Sequence, residues 1–567
     1  MLELANRAAT DTGEIFRRSH SSTRSLIWRE PRRLFLTSFR SLPSTWRSNV
    51  ATLPSLVLSS YPADSLQSEM TPRTKLNEEP IEESSEETVD YEYDDIYRPR
   101  RRIIRGEARE RRRSSIVEQL PETPQGWAVL LTCVATAMLA YEVRLQRQLS
   151  APPLVYGQYQ EGLLRDIYEY MNRSPESILR RKILPSLLVG TRGVLASVGG
   201  YLNAGPRRND RQFREILTMP ADGATIAVDY ELPVRDVSQR DVLEGPIRHP
   251  VVLILHGMNN DSNFGYVRAT MRACTEKGWI AVAMNLRGCG GIPLTTPRNY
   301  NGAYTGDIRY TVLKLSGRME PGVPLFLVGN SLGANLVAKY LGEEGLSNTL
   351  PACVAGGITL GNPMGFDSRK AAFGWSQILM LGAQKSMYKH LRTLSKMTAP
   401  SYRQAIRTAM TATSLARFDE ALTPVSAHNE TTYPFAFKVG YRDGKEYWKD
   451  ASSYHMLPHV SVPLLQVVAR DDFLVYGPFR AHMRYSLVNP NVLVLQTRCG
   501  GHLGWQESPP NGNIFGFGTS WADVALTDFI QAILDHRRDP RSHEDDAREF
   551  MQRDEAHLHA SSIRSKL

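Results

Sequence analysis

VPLFLVGNSLGANLVAKYL, residues 323–341, decides how the rest of the chain is read. Residues 323–328 are apolar and partly β-branched, the mark of a strand buried in a parallel sheet. The run stops at Gly329-Asn330-Ser331-Leu332-Gly333, and an amphipathic helix follows with Leu336, Val337, Tyr340 and Leu341 on its inner face. Strand, G-x-S-x-G and helix together predict a nucleophile elbow. The turn is so tight that side chains at the two glycines would clash, and the serine is forced into a strained backbone conformation. That conformation lifts the Ser331 hydroxyl above the sheet. It also aims the Leu332 N–H, at a helix N-terminus, towards the place where an oxyanion would form.

A hydroxyl is a poor nucleophile at neutral pH, so it needs a base, and the base needs an orienting acid. With this elbow the chain order is Ser, then Asp or Glu, then His. His502 follows a late strand within the glycine-rich loop Cys499-Gly500-Gly501-His502, which can carry an imidazole over the sheet edge. His455 and His459 precede a strand and His482 lies in a helical stretch, so these read as structural or surface residues. For the acid, the strand at 464–469 ends in Arg470-Asp471-Asp472-Phe473-Leu474-Val475. Acids at the C-terminal end of a parallel strand are where α/β sites form. The pattern small-x-x-Asp-x-apolar-Val favours Asp472, with Asp471 as its neighbour and the open alternative. The second oxyanion donor is expected after the strand at 251–255, where His256-Gly257-Met258 follows, and the Met258 N–H is the candidate. His256 reads as a brace for that loop.

Working outward, strands are expected at 215–219, 225–230, 251–255, 279–284, 324–328, 353–360, 464–469 and 492–497. The first two form a hairpin around Asp222-Gly223. Helices are expected at 266–277, 306–314, 332–341 and 521–536. The alternation predicts an α/β fold, a mostly parallel doubly wound sheet over 205–540. Residues 364–455 interrupt it with helix formers, Met and aromatics. An insertion there would cap the serine and present an apolar mouth, the alternative being a packing subdomain. Residues 151–204 read as a linker with short helices such as 162–170, and 541–567 as a polar tail.

The N-terminal part differs in kind. Residues 1–60 hold nine arginines and no lysine, 78–95 carry ten acids, and 98–113 carry nine arginines. Such blocks predict a disordered arm over 1–115, although the arginine- and serine-rich start also resembles a transit peptide. The arm is built of basic and acidic blocks side by side, so the net charge of +9 is read as no sign of nucleic-acid binding. Residues 126–141 (GWAVLLTCVATAMLAY) carry no charge, with Trp127 near the start and Tyr141 at the end. Within 116–150 they read as a membrane anchor, short for a full span of roughly 20 residues. A helix packed on the domain and a monotopic anchor are the alternatives to a full span. If the segment spans, the flanking arginines keep the N-terminus in the cytosol. The five cysteines show neither metal-ligand spacing nor a disulfide framework. No zinc-binding H-E-x-x-H, P-loop or dinucleotide fingerprint occurs, so no cofactor is expected.

A further block, Asn285-Leu286-Arg287-Gly288-Cys289-Gly290-Gly291 with Pro293-Leu294-Thr295-Thr296-Pro297 and Tyr300, resembles one branch of the α/β-hydrolase superfamily. That branch holds membrane-anchored hydrolase-domain phospholipases and lipases, YheT-like esterases and plant embryogenesis-associated proteins. The resemblance covers roughly residues 205–536. It implies a triad of Ser331, Asp472 and His502 and cleavage of carboxylic esters, such as phospholipids or acylglycerols, behind a single N-terminal anchor. Some relatives resemble alcohol acyltransferases with the same acyl-enzyme, and a non-catalytic protein of the same fold is a third reading. The chain departs from the family at Phe473, where proline is usual, and in an Asn-rich loop at 258–263. The block itself reads as a structural loop. The terminal Ser565-Lys566-Leu567 reads as a peroxisomal address, which competes with the membrane anchor.

Overall fold

In the computed structural model the described residues run from 121 to 538, apart from 122, 175–176, 188, 204–210, 234–236, 367–374, 397–399, 423–440 and 509–514. The arm at 1–115 and the tail with Ser565-Lys566-Leu567 lie outside them.

Among the described residues the first elements are α1 (Pro124–Leu149), β1 (Leu154–Tyr156), α2 (Gly162–Met171) and α3 (Gly193–Leu202). The hairpin β2 (Gln212–Thr218) and β3 (Thr225–Glu231) follows, then α4 (Gln239–Glu244), β4 (Val251–Leu255), α5 (Gly265–Glu276) and β5 (Ile280–Asn285). Next come α6 (Gly306–Ser316), β6 (Leu325–Asn330), α7 (Leu332–Ser347) and β7 (Val354–Leu360). Among the described residues, α8 (Trp375–Lys389), α9 (Leu391–Leu394), α10 (Pro400–Met410), α11 (Leu415–Leu422) and α12 (Gly444–Ala451) intervene. The sheet resumes with β8 (Leu464–Ala469), α13 (Tyr476–His482), α14 (Arg484–Leu487) and β9 (Val492–Thr497), and α15 (Trp521–Arg538) closes it.

The sheet order is β1-β9-β8-β7-β6-β4-β5-β3-β2. β4 to β9 run parallel, while β3 pairs antiparallel with both β5 and β2 on one side and β1 pairs antiparallel with β9 on the other. Every residue of the six parallel strands is buried, which explains their unbroken apolar runs. Alternate side chains enter opposite layers. Leu253, Leu255, Leu325 and Leu327 pack with Ile308 and Val312 of α6 and with Leu336 and Tyr340 of α7. Val252, Ile254, Phe326 and Val328 pack with Val267 of α5 and with Trp521 and Phe529 of α15. Each buried Leu or Ile adds roughly 1.5–3 kcal/mol over leaving it in water.

Two expectations change. Residues 151–204 are no linker. β1 pairs with β9, Leu164 and Ile167 of α2 are buried against the α15 layer, and Ala196 of α3 is fully buried. The helix expected at 162–170 is present as α2, but a three-residue strand and the small-residue helix α3 give no sign in sequence that the region packs on the domain. The apolar segment also belongs to a longer helix, α1, of 26 residues. Its Trp127, Leu131, Met138 and Tyr141 stand exposed, so it does not pack on the domain as a core helix would. By length and composition it can cross a membrane.

Candidate active site

Ser331 sits between β6 and α7 with φ 54° and ψ −116°, a left-handed backbone that side chains avoid. Its N–H donates to Leu360 O of β7 (2.9 Å). A Cβ on Gly329 would lie 2.3 Å from Gly333 O, and one on Gly333 would lie 2.6 Å from His256 O. Both positions therefore require glycine, and the second lets α7 press onto the end of β4.

The loop after β9 returns over this turn. His502 Nε2 lies 2.8 Å from Ser331 Oγ, and Nδ1 lies 2.8 Å from Asp472 Oδ2. With the proton on Nδ1, the imidazole donates to the carboxylate and accepts from the serine hydroxyl. Asp472 Oδ1 accepts from the N–H groups of Leu474 (3.0 Å) and Val475 (3.1 Å). Asp472 and His502 are buried. The neighbouring Asp471 does something else. Its Oδ1 accepts from the Gly501 N–H (2.8 Å), and burial, with the negative Asp472 beside it, pushes its carboxyl up to about 6.

Sequence reasoning missed the third support of this loop. The His502 N–H donates to Ser197 Oγ (2.6 Å) in α3, and that hydroxyl donates to Gly193 O (2.6 Å). A Cβ on Gly193 would lie 2.1 Å from Asp471 O. Nothing around Ser197 signals this in sequence, because it sits in the stretch that reads as a linker.

The loop after β4 lies beside the serine. A Cβ on Gly257 would come within 3.2 Å of Ser331 Cβ. His256 Nε2 accepts from the Leu286 N–H (3.1 Å), so its Nδ1 carries the proton and donates to Gly257 O (2.7 Å). Burial lowers the affinity of this ring for a second proton. The Asn-rich loop is held by tyrosines. Gly257 N–H and Asn260 Nδ2 donate to the Tyr266 hydroxyl, and Asn259 N–H donates to that of Tyr300. Among the described residues, neither the Met258 nor the Leu332 N–H has a protein acceptor.

The block from Asn285 to Tyr300 is scaffolding. Arg287, wholly buried, pairs with Asp307 (2.7 Å) and with Asp222 (2.5 Å) of the β2–β3 turn. Gly288 O lies 3.0 Å from His390 Nε2, which ties the block to the end of α8. Met258 and Leu332 line a cavity together with Phe366, Leu415, Phe418, Asp419, Tyr447 and Trp448 of the insertion. Its wall is mainly apolar, and no His/Cys/Asp/Glu cluster suited to a metal occurs among the described residues. Trp448 Nε1 donates to Asp419 Oδ2 (3.1 Å).

Residues 247–476 match the model of the serine aminopeptidase S33 family. The chain is 34% identical to a monoacylglycerol lipase of Saccharomyces cerevisiae over 268 residues, 45% of this chain and 55% of the lipase. It is 28% identical to the embryogenesis-associated protein EMB8 of Picea glauca, covering 61% of this chain and 71% of that protein. It is likewise 28% identical to phospholipase ABHD3 of Bos taurus, covering 57% and 73%. The sheet, the elbow, the Asn285–Tyr300 block and these likenesses agree: the chain has the α/β-hydrolase fold, and its sequence is similar to hydrolase-domain lipases and phospholipases and to an embryogenesis-associated protein.

Proposed function

We propose that this protein is a serine hydrolase of carboxylic esters, with lipid esters such as phospholipids or acylglycerols as substrates. The observation that carries the reading is the unbroken relay from Ser331 Oγ through the His502 ring to Asp472, with 2.8 Å at each step. Ser331 Oγ attacks the ester carbonyl carbon while His502 Nε2 takes its proton. The carbonyl π-electrons move to oxygen, and the free N–H groups of Met258 and Leu332 hold that oxyanion. Such a donor contributes about 3 kcal/mol to transition-state stabilisation. Collapse expels the alcohol oxygen, which receives the proton from His502. Water then repeats the sequence on the acyl-serine and releases the acid. Asp472 holds the ring in the required tautomer and stabilises its charged form. An alcohol in place of water would give a new ester instead of an acid, so assays should look for both products.

The apolar wall of the cavity suits an acyl chain. Two features support a membrane location, the exposed apolar face of α1 and the arginines before it, which favour a cytosolic N-terminus. The direct test is labelling with a fluorophosphonate, followed by ester and lipid panels. Wild type should label and Ser331→Ala should not. Failure of folded wild type to label would remove the hydrolase reading.

A further inference from the structure

α3 is amphipathic the wrong way round for a protein surrounded by water. Val194, Leu195, Val198 and Leu202 fall within about 100° of one another around the helix axis. All four point outward, 39%, 42%, 44% and 51% exposed. The opposite side carries small residues, Gly193, Ala196, Ser197 and Gly200, and presses on the catalytic loops. A Cβ on Gly200 would lie 2.2 Å from Leu503 O. A surface helix in water turns its large apolar side chains inward. Here they turn away from the core.

Two further observations say what faces them. The first is the foot of α1. Glu142 pairs with Arg192 (2.5 Å) and accepts from Thr191 Oγ1 (2.8 Å), and Gln146 Nε2 donates to Pro185 O (2.7 Å). The exposed apolar helix therefore joins the domain at the residue just before α3. The second is at the other end of α3. Asn203 exchanges hydrogen bonds with Gly518 (2.8 and 2.9 Å), which places the loop of Phe515 and Phe517 beside Leu202. Those two rings stack at 5.6 Å and are exposed. The apolar face of α3 thus runs from the foot of α1 to the aromatic pair, on the helix whose inner side holds the His502 loop.

The geometry points to α3 and the Phe515–Phe517 loop as an interfacial lipid-docking surface, which lies in the membrane that α1 enters and sets the mouth of the Ser331 site against the bilayer. This rests on the membrane reading of α1. Aromatic and aliphatic side chains on a short helix lying in the plane of the headgroups are how such surfaces bind lipid. The occupant is the bilayer itself, because α1 delivers α3 to it.

The test uses the full chain with Cys133→Ser and Cys353→Ser, reconstituted in phosphatidylcholine vesicles. An environment-sensitive fluorophore is placed at Val198→Cys in one sample and at Met138→Cys, in α1, in another. Both probes should shift to the blue and be quenched by lipids brominated in the acyl chain. Quenching at 138 without quenching at 198 would overturn the docking surface and leave the anchor intact. Absence of quenching at both would overturn the anchor and the docking surface together. A blue shift at 198 without lipid, growing with protein concentration, would mean that a second copy covers the face. A second variant, Leu195→Asp with Val198→Asp and Leu202→Asp, should hydrolyse a water-soluble short-chain ester like wild type. It should hydrolyse lipid in vesicles at least about tenfold more slowly. Equal loss on both substrates would show a merely structural helix and overturn the proposal. If no ester is cleaved at all, the hydrolase reading fails, and the quenching result still decides the surface.

Discussion

Ser331 is held at φ 54° although it is not glycine, and a backbone of this kind costs on the order of 1–3 kcal/mol. Replacing it by glycine relieves that cost. Ser331→Gly should therefore unfold at higher denaturant than wild type, by about 1 kcal/mol, while losing all ester hydrolysis. Ser331→Ala should lose activity without that gain, and paired chemical denaturation of the two variants checks the difference. The three residues that meet here were readable because each carries a local mark: glycines around Ser331, an apolar-Val step after Asp472, and Gly-Gly before His502. Asp471 and Asp472 were harder to separate. They are adjacent, and only the backbone turn decides that one carboxylate meets the imidazole ring and the other the Gly501 N–H. Ser197 was not legible at all, since a hydroxyl that caps a distant loop leaves no pattern in its own neighbourhood.

At the scale of the element, the insertion between β7 and β8 carries its own small core. Met380 and Met387 of α8 pack against Ala405 and Ala409 of α10 and Phe418 and Leu422 of α11. Asp419, also on α11, faces the cavity with protein around it. Burial raises its carboxyl from an ordinary 3.8 to about 7, against the opposing pull of the Trp448 hydrogen bond. The folded state therefore holds this proton more tightly than the unfolded chain does. The stability it contributes is complete below about pH 4, fades as the pH rises to about 7, and is absent above that. Asp419→Asn keeps an acceptor for Trp448 and removes the titration. Its thermal midpoint relative to wild type should rise between about pH 5 and about pH 8, corresponding to about 1–3 kcal/mol. A constant difference across that range would show that Asp419 does not titrate there. The alternation of strands and helices that located the insertion was plain in the sequence, because strands buried on both faces are continuous apolar runs. β1 and α3 were not, because β1 is only three residues long, the large apolar residues of α3 lie on its outer face, and the partners the two need lie more than 300 residues further on.

For the molecule as a whole, these elements belong to the same folded unit as the sheet. A chain starting at Glu142 keeps β1, α2 and α3 and should be soluble, folded and active on a water-soluble ester. A chain starting at residue 205 loses the buried Leu164, Ile167, Ile178 and Ile183, uncovers the edge of β9 and frees the His502 loop from Ser197. It should aggregate on expression. Gel filtration and circular dichroism of the two truncations distinguish the outcomes. The junction between Glu142 and Arg192 also bears on how the enzyme meets its substrate. On the proposed reading the protein samples a two-dimensional solution. Its substrate arrives by lateral diffusion, and the quantity that sets the rate is the mole fraction of ester in the surface. Adding inert lipid at fixed bulk ester should slow turnover, whereas diluting the whole suspension with buffer should leave the rate of each anchored molecule unchanged.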